Sequence, residues 1–120
     1  MYDAQQLADR YVAAWNETDA DRRRRAIEDL WVADGQHYVD TRHAVGYDAL
    51  EERIRGSHVK NVTNAGNVFR TVRDARALHD VVTFHWQMLP AGREEILATG
   101  LEILIVGEDG RIVTDYQFIV

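Results

Sequence analysis

From Val68 to Val120 the chain alternates apolar and polar residues with a period of two, broken by Pro90-Ala91-Gly92 and by Gly107-Glu108-Asp109-Gly110. Successive side chains of a strand point to opposite faces, so this pattern demands a sheet with one buried face, and the two breaks carry hairpin chemistry. Four strands are expected, at about Val68 to Asp74, Leu78 to Leu89, Glu94 to Val106 and Arg111 to Val120.

The residues before them keep a helical period instead. Asp3 followed by Gln6 resembles a capping box, and Leu7, Tyr11, Ala14 and Trp15 recur on one face, which predicts a helix from Asp3 to about Asn16. Thr18 or Asp19 can cap a second helix with Ile27, Leu30 and Trp31 as its stripe and Gly35 as its positive-φ end. In its Arg22 to Arg25 run, Asp21 with Arg25, Arg24 with Glu28 and Arg25 with Asp29 are spaced to pair on a solvated face. Gln36 to Asp40 reads as a short strand, with Gln36, Tyr38 and Asp40 on one face and His37 and Val39 on the other. A third helix is expected from Tyr47 to about Lys60, with Leu50, Ile54 and His58 on one side, followed by a turn-rich connection from Asn61 to Asn67. Helices first and an antiparallel meander afterwards make an α+β domain, and 120 residues without a linker make one domain, 1–120.

A chain of this length buries roughly two thirds of its unfolded surface and needs no disulfide staple. Zero cysteines remove thiolate metal sites, redox dithiols and Cys nucleophiles. Fourteen basic against twenty acidic residues leave −6, a poor match to a polyphosphate, so no nucleic-acid partner is expected. No apolar run reaches the ~18 residues of a membrane span. Met1 leads into Asp3-Ala4-Gln5-Gln6 without a basic-then-apolar leader, so the expectation is a cytoplasmic protein with no membrane partner.

The sharpest anomaly is Glu102, the one charge in the eleven residues from Ile96 to Val106. Either face of that strand surrounds it with apolar neighbours, so it must find a partner such as Arg70 or Arg111, reach water, or hold its proton. Asp40 ends a strand beside Thr41-Arg42-His43, where a carboxylate can accept a proton from a bound molecule or simply close a turn. Tyr11 can present its phenol to the interior or serve as core. The five histidines show neither i,i+4 pairing nor a His-x-His arrangement, so no metal site is expected. One pocket histidine acting as acid, base or donor is the better use, and which one is open. With Ser57 the only serine and no Gly-rich phosphate loop, serine hydrolysis and phosphate cradling are excluded.

The order helix, helix, short strand, helix, then four long strands ending in Gly-Arg-Ile-Val-x-x-Tyr-Gln-Phe resembles the nuclear transport factor 2-like (NTF2-like) superfamily. Tyr11-Val12-Ala13-Ala14-Trp15-Asn16, Tyr38-Val39-Asp40 before Gly46, and Glu102 through Gly110-Arg111-Ile112 are similar to the SnoaL-like polyketide cyclase and ketosteroid isomerase group within it. The resemblance covers essentially the whole chain. It implies a cone-shaped α+β barrel, three N-terminal helices on a curved, mostly antiparallel sheet, enclosing an apolar pocket, with dimers formed through the outer sheet face. It also implies Asp40 as general base, and Tyr11 and a protonated Glu102 as the donors to a developing oxyanion. His58 or His79 would then move the proton, and Trp15, Tyr38, Phe84, Trp86 and Phe118 would wall the pocket. The expected function is cofactor-independent acid/base catalysis, as an isomerase, cyclase or lyase, on a small apolar carbonyl compound. A non-catalytic module for hydrophobic ligands, or a dimeric structural protein with no ligand, are the alternatives.

Overall fold

The computed structural model describes residues 3–120, so Met1 and Tyr2 lie outside it. Helix α1 spans Ala4–Asn16 and α2 spans Ala20–Leu30. Asp3 and Asp19 cap them as their spacing predicts, each accepting a hydrogen bond from the amide three residues on, at 3.1 Å from Gln6 and 2.9 Å from Arg22. Strand β1 (Trp31–Val39) and strand β2 (Arg42–Val45) form a hairpin, α3 spans Tyr47–Ser57, and a π-helical segment follows at His58–Asn64. Then come β3 (Asn67–Thr71), β4 (Arg76–Leu78), β5 (Val81–Pro90), β6 (Ala98–Val106) and β7 (Ile112–Ile119).

One seven-stranded, unclosed sheet runs β2-β1-β7-β6-β5-β3, with β4 also paired to β5. Only the β1 and β7 pair is parallel, so the sheet is mostly antiparallel as expected. The three helices cover its concave face, and the core between them holds Leu7, Ala8, Tyr11, Ile27, Leu30 and Trp31 from the N-terminal half with Val82, Phe84, Leu104 and Ile112 from the strands. No helix of the described residues is long and apolar enough to cross a membrane.

Several boundaries differ from the sequence reading. Trp31 opens β1 rather than closing α2, and Gly35 is not a positive-φ helix end but a buried strand residue. A Cβ at Gly35 would stand 2.6 Å from the Trp31 ring, so that position is glycine for space. Arg42 to Val45, expected as loop, is the second hairpin strand. The third helix stops at Ser57, and residues expected as turn continue as π-helix. The long second strand divides, leaving His79 in an exposed turn at φ 53° between β4 and β5. Of the three pairs expected on α2, Arg24 with Glu28 forms at 2.9 Å and Arg24 also grips Asp48 and Glu51 of α3. Arg23, in the same run, is buried and donates to the Glu17 carbonyl at 2.8 Å. Gly92 and Gly110 take the positive φ that the two hairpin turns require.

Gly100 faces Trp86 across β5 and β6, and an added Cβ there would lie 2.1 Å from the indole ring. The ring cannot yield freely, because its Nε1 is bonded to Glu102. Gly100→Ala is expected to destabilise the fold by ~1–3 kcal/mol through overpacking, measured by urea unfolding. A wild-type midpoint would contradict this account of the strand pair.

Candidate active site

Four buried polar side chains from four elements meet behind α1. Tyr11 comes from α1, His37 from β1, Glu102 from β6 and Asp115 from β7; the last two are 0% exposed. His37 and Asp115 stand directly opposite each other in the parallel register, and Glu102 reaches in from the adjoining strand. Asp115 Oδ2 lies 2.5 Å from the Tyr11 hydroxyl and 2.6 Å from His37 Nδ1. Glu102 Oε2 lies 3.1 Å from the same hydroxyl, and Glu102 Oε1 accepts from Trp86 Nε1 at 2.8 Å. Phe84 closes the cluster from the side, its ring centroid 5.4 Å from that of Tyr11.

The two carboxylates cannot both ionise easily in so dry a place. Burial, and then the charge of Asp115, push the Glu102 carboxyl well above the usual range. Burial also works against ionising Asp115, but the facing His37 and the neighbouring Glu102 and Tyr11 overcome it and hold Asp115 low. Burial, with the neighbouring Asp115 and Glu102, raises the Tyr11 phenol well above its ordinary value, so it keeps its proton. The consistent arrangement is a directed chain: Trp86 donates to Glu102, protonated Glu102 to the Tyr11 oxygen, and Tyr11 and His37 to the Asp115 carboxylate.

This network forms one wall of a cavity of about 450 Å³, which Tyr11 and Trp86 share with Val12, Trp15, Phe69 and Met88. Exposed Asp40, Arg42 and Lys60 and half-buried Arg53 from α3 also line it. The Arg53 guanidinium carbon sits 5.0 Å from the Trp15 ring centroid. Burial, and then the charge of Arg42, lower its pKa, although a guanidinium stays cationic.

The sequence-derived residues are therefore distributed unevenly. Tyr11 and Glu102 do come together in otherwise apolar surroundings, and neither Arg70 nor Arg111 is the partner of Glu102, since these pair with Glu94 and Asp109. Asp40 lies in the β1 and β2 turn at φ 52°, on the cavity lining. Trp15 and Trp86 are cavity wall, whereas Phe84 is packed in the core and is not on the lining. Tyr38 and Phe118 face the opposite side of the sheet, where Tyr38 stacks on His43 and Tyr116 at ring distances of 4.1 and 5.3 Å. His58 is buried beside Thr63, its pKa lowered by burial and then by Arg23, and it does not reach the cavity. Nor does exposed His79.

Two members of the network, Asp115 and His37, were not singled out from sequence. Alternation counted from buried Ile112 would turn Tyr116 and Phe118 inward, but the register shifts between Ile105 and Val106, which inserts an extra β7 residue and turns Asp115, Gln117 and Ile119 inward instead. The available signal was an acid in mid-strand, the same anomaly that drew attention to Glu102. His37, Glu102 and Asp115 also place ligand-type atoms within 4.8 Å of one another. Contacts of 2.5 and 2.6 Å at Asp115 Oδ2 are hydrogen-bond lengths, whereas Asp115 Oδ1 and His37 Nε2 are buried with no hydrogen-bond partner among the described residues.

A raised pKa means that the folded chain holds the Glu102 proton more tightly than the unfolded chain. The stability this confers is complete below the ordinary value of 4.5 and falls as pH rises towards the folded value. Asp115, held low, contributes in the opposite sense, and its share is lost only as pH falls through its folded value. Glu102→Gln, which mimics the protonated acid, should match wild type at acidic pH and overtake it above, by up to about 1.4 kcal/mol per pH unit. Urea midpoints across pH test this, and parallel profiles would refute a protonated Glu102.

No protein-family model and no curated protein matches the chain. Among solved structures, it superposes on a proposed isomerase of the SnoaL-like family from Agrobacterium tumefaciens str. C58 with a TM-score of 0.88 at 21% identity, over 98% of this chain and 97% of that one. A proposed polyketide cyclase from Sinorhizobium meliloti matches at 0.72 and 12% identity, over 94% of each chain. An NTF2-like protein of unknown function from Exiguobacterium sp. 255-15 matches at 0.73 and 17% identity, over 95% of this chain and 98% of that one. By its architecture this chain has the NTF2-like, SnoaL-like α+β fold that its motifs resemble.

Proposed function

We propose that the cavity binds a small, largely apolar carbonyl compound and that the chain catalyses proton transfer next to the carbonyl, as an isomerase, cyclase or lyase of the SnoaL-like type. The observation that carries this reading is Tyr11: a cavity-wall phenol whose oxygen is held between one protonated and one ionised buried carboxyl group. The naming of fold neighbours as a proposed isomerase and a proposed polyketide cyclase supports the general type.

In this reading the substrate oxygen docks at Tyr11. The phenol turns its hydrogen from Asp115 to that oxygen, while Glu102 continues to donate to Tyr11 and His37 Nδ1 stays hydrogen-bonded to Asp115. Asp40, on the cavity lining, accepts the proton from the neighbouring carbon, and the resulting enolate is stabilised by Tyr11. The proton then returns at the same or another carbon. Such a step needs only acid and base groups, so no cofactor is required. Exposed Tyr116 and Phe118 on the outer sheet face support pairing of two copies there.

One feature favours a second reading. The Tyr11 hydrogen already has a strong acceptor in Asp115, so a ligand that cannot compete for it would be bound and released unchanged. Deuterium incorporation from D2O at C1 of 2-tetralone, followed by NMR, separates the two. Catalysis predicts exchange faster than in buffer, reduced on the order of a hundredfold by Asp40→Asn and at least ~10-fold by Tyr11→Phe. Binding without accelerated exchange would leave the non-catalytic module, and full exchange in Asp40→Asn would remove Asp40 from the mechanism.

A further inference from the structure

Most arginines that are withdrawn from water in this chain are matched. Arg24 holds three carboxylates at 2.9 to 3.0 Å, and buried Arg23 donates to a backbone carbonyl at 2.8 Å. Arg23 Nε is also shielded without a partner, but its Nη1 is bonded and it does not line the cavity; Arg53 differs in lining the cavity and in making no hydrogen bond at all among the described residues. It is half-buried on the cavity wall, its Nε is shielded from solvent without a hydrogen-bond partner, and it forms no ion pair among the described residues. The face of Trp15 lies 5.0 Å from its guanidinium carbon and is the one direct contact given for that group among the described residues. A desolvated cation without a counter-charge is costly, and twenty acids in the chain could have supplied one.

The surroundings increase that cost. Arg42 and Lys60, the only lysine in the chain, line the same cavity and are likewise without ion pairs among the described residues. The acids on the lining are Asp40 and Glu52, and Glu52 is engaged by Arg55 at 2.7 Å. In a chain of net charge −6, the cavity thus carries three cations against two acids. The buried carboxyls of Glu102 and Asp115 act on Arg53 through space, but neither forms an ion pair with it, and Asp115 Oδ2 is taken up by Tyr11 and His37.

We propose that the ligand is a small aromatic or alicyclic carboxylate, its apolar body packed between Trp15, Trp86, Phe69 and Met88 and its carboxylate on the Arg53 fork. This rests on the cavity being a ligand site and names the class of ligand it takes. The Trp15 ring beneath it favours the cation and leaves the planar fork to form two parallel hydrogen bonds to a carboxylate. A single fork inside apolar walls suits one negative charge rather than two. Arg42 and Lys60 then attract the anion from solution without needing to touch it.

The test is calorimetric titration with 1-naphthaleneacetate and its uncharged match, 1-naphthaleneacetamide. The acid should bind at least ~10-fold more tightly than the amide, and the preference should shrink between about 50 and 500 mM salt. Arg53→Gln should bring the two ligands to within about twofold while leaving amide binding nearly intact, and Arg53→Lys should keep part of the preference. Should Arg53→Gln fail to fold, Arg42→Gln with Lys60→Gln, both exposed, should reduce the preference severalfold. Equal binding of acid and amide by wild type, or an undiminished preference in Arg53→Gln, would overturn the carboxylate while leaving the apolar cavity standing as a ligand site. Binding of neither would overturn both. Tight acid binding with no exchange of 2-tetralone would uphold the carboxylate and count against catalysis alone.

Discussion

The arrangement of the whole concave face depends on how one phenol is held between two buried acids. Two carboxylates within reach of the Tyr11 oxygen would repel each other if both were charged, so one must keep its proton. The structure settles which by placement. Asp115 stands opposite His37 in register, while Glu102 has only neutral neighbours, the Trp86 N–H and the Tyr11 oxygen. That asymmetry gives the network a direction, and each element of the fold contributes one link to it. Helix α1 is positioned by Tyr11 as well as by its apolar stripe, and β1 is joined to β7 through His37 as well as by its ladder.

Much of this was legible in the sequence. The capping aspartates, the period change at Val68, the two hairpin turns and the exposed pattern of α3 are local signals, and local chemistry determined them. Glu102 was legible because a charge among apolar residues is conspicuous whichever face it occupies. The misplacements have a common cause in non-local geometry. Trp31 and Gly35 look helical by spacing, but the tight contact of Gly35 with the Trp31 ring belongs to a bulged strand start. Phe118 looks like a pocket aromatic until the β7 irregularity assigns it to the outer face, and Tyr38 of β1, paired with Tyr116, lies on that face too. Asp115 was hidden because Tyr116 and Thr114 surround it with ordinary strand neighbours.

Close approach of strands explains why the network is dry and yet adjoins the cavity. Gly100 leaves a gap opposite Trp86, and the indole fills it, turning its N–H towards Glu102 and its ring face towards the cavity. One side chain therefore completes the hydrogen bonds of the buried acid and forms apolar wall for whatever binds above. Tyr11 does the same from the helix side. The cavity lining thus joins the buried Tyr11 hydroxyl and apolar walls to the charged side chains of Arg53, Arg42, Lys60 and Asp40. A ligand with one polar atom at one end and a charge at the other has a single orientation in such a space.

Register is the means by which the fold controls this chemistry. Ile112 and Asp115 are both fully buried although they stand three positions apart, which strict alternation forbids. The extra residue in β7 resolves the conflict, and the register of β1 against β7 shifts between Trp31 and Gln36 on its other side. Below these irregularities the strands pack apolar side chains on the helices; above them they present Asp115, Glu102 and His37. Removing the β7 irregularity would slip the strand by one residue, put Asp115 on the outer face and drive Tyr116 into the space beneath Tyr11. The bulge therefore selects which residues become chemistry, and the length of each acid follows from it: a short aspartate where His37 lies directly across, and a longer glutamate where the carboxyl must span from β6 to both Trp86 and Tyr11.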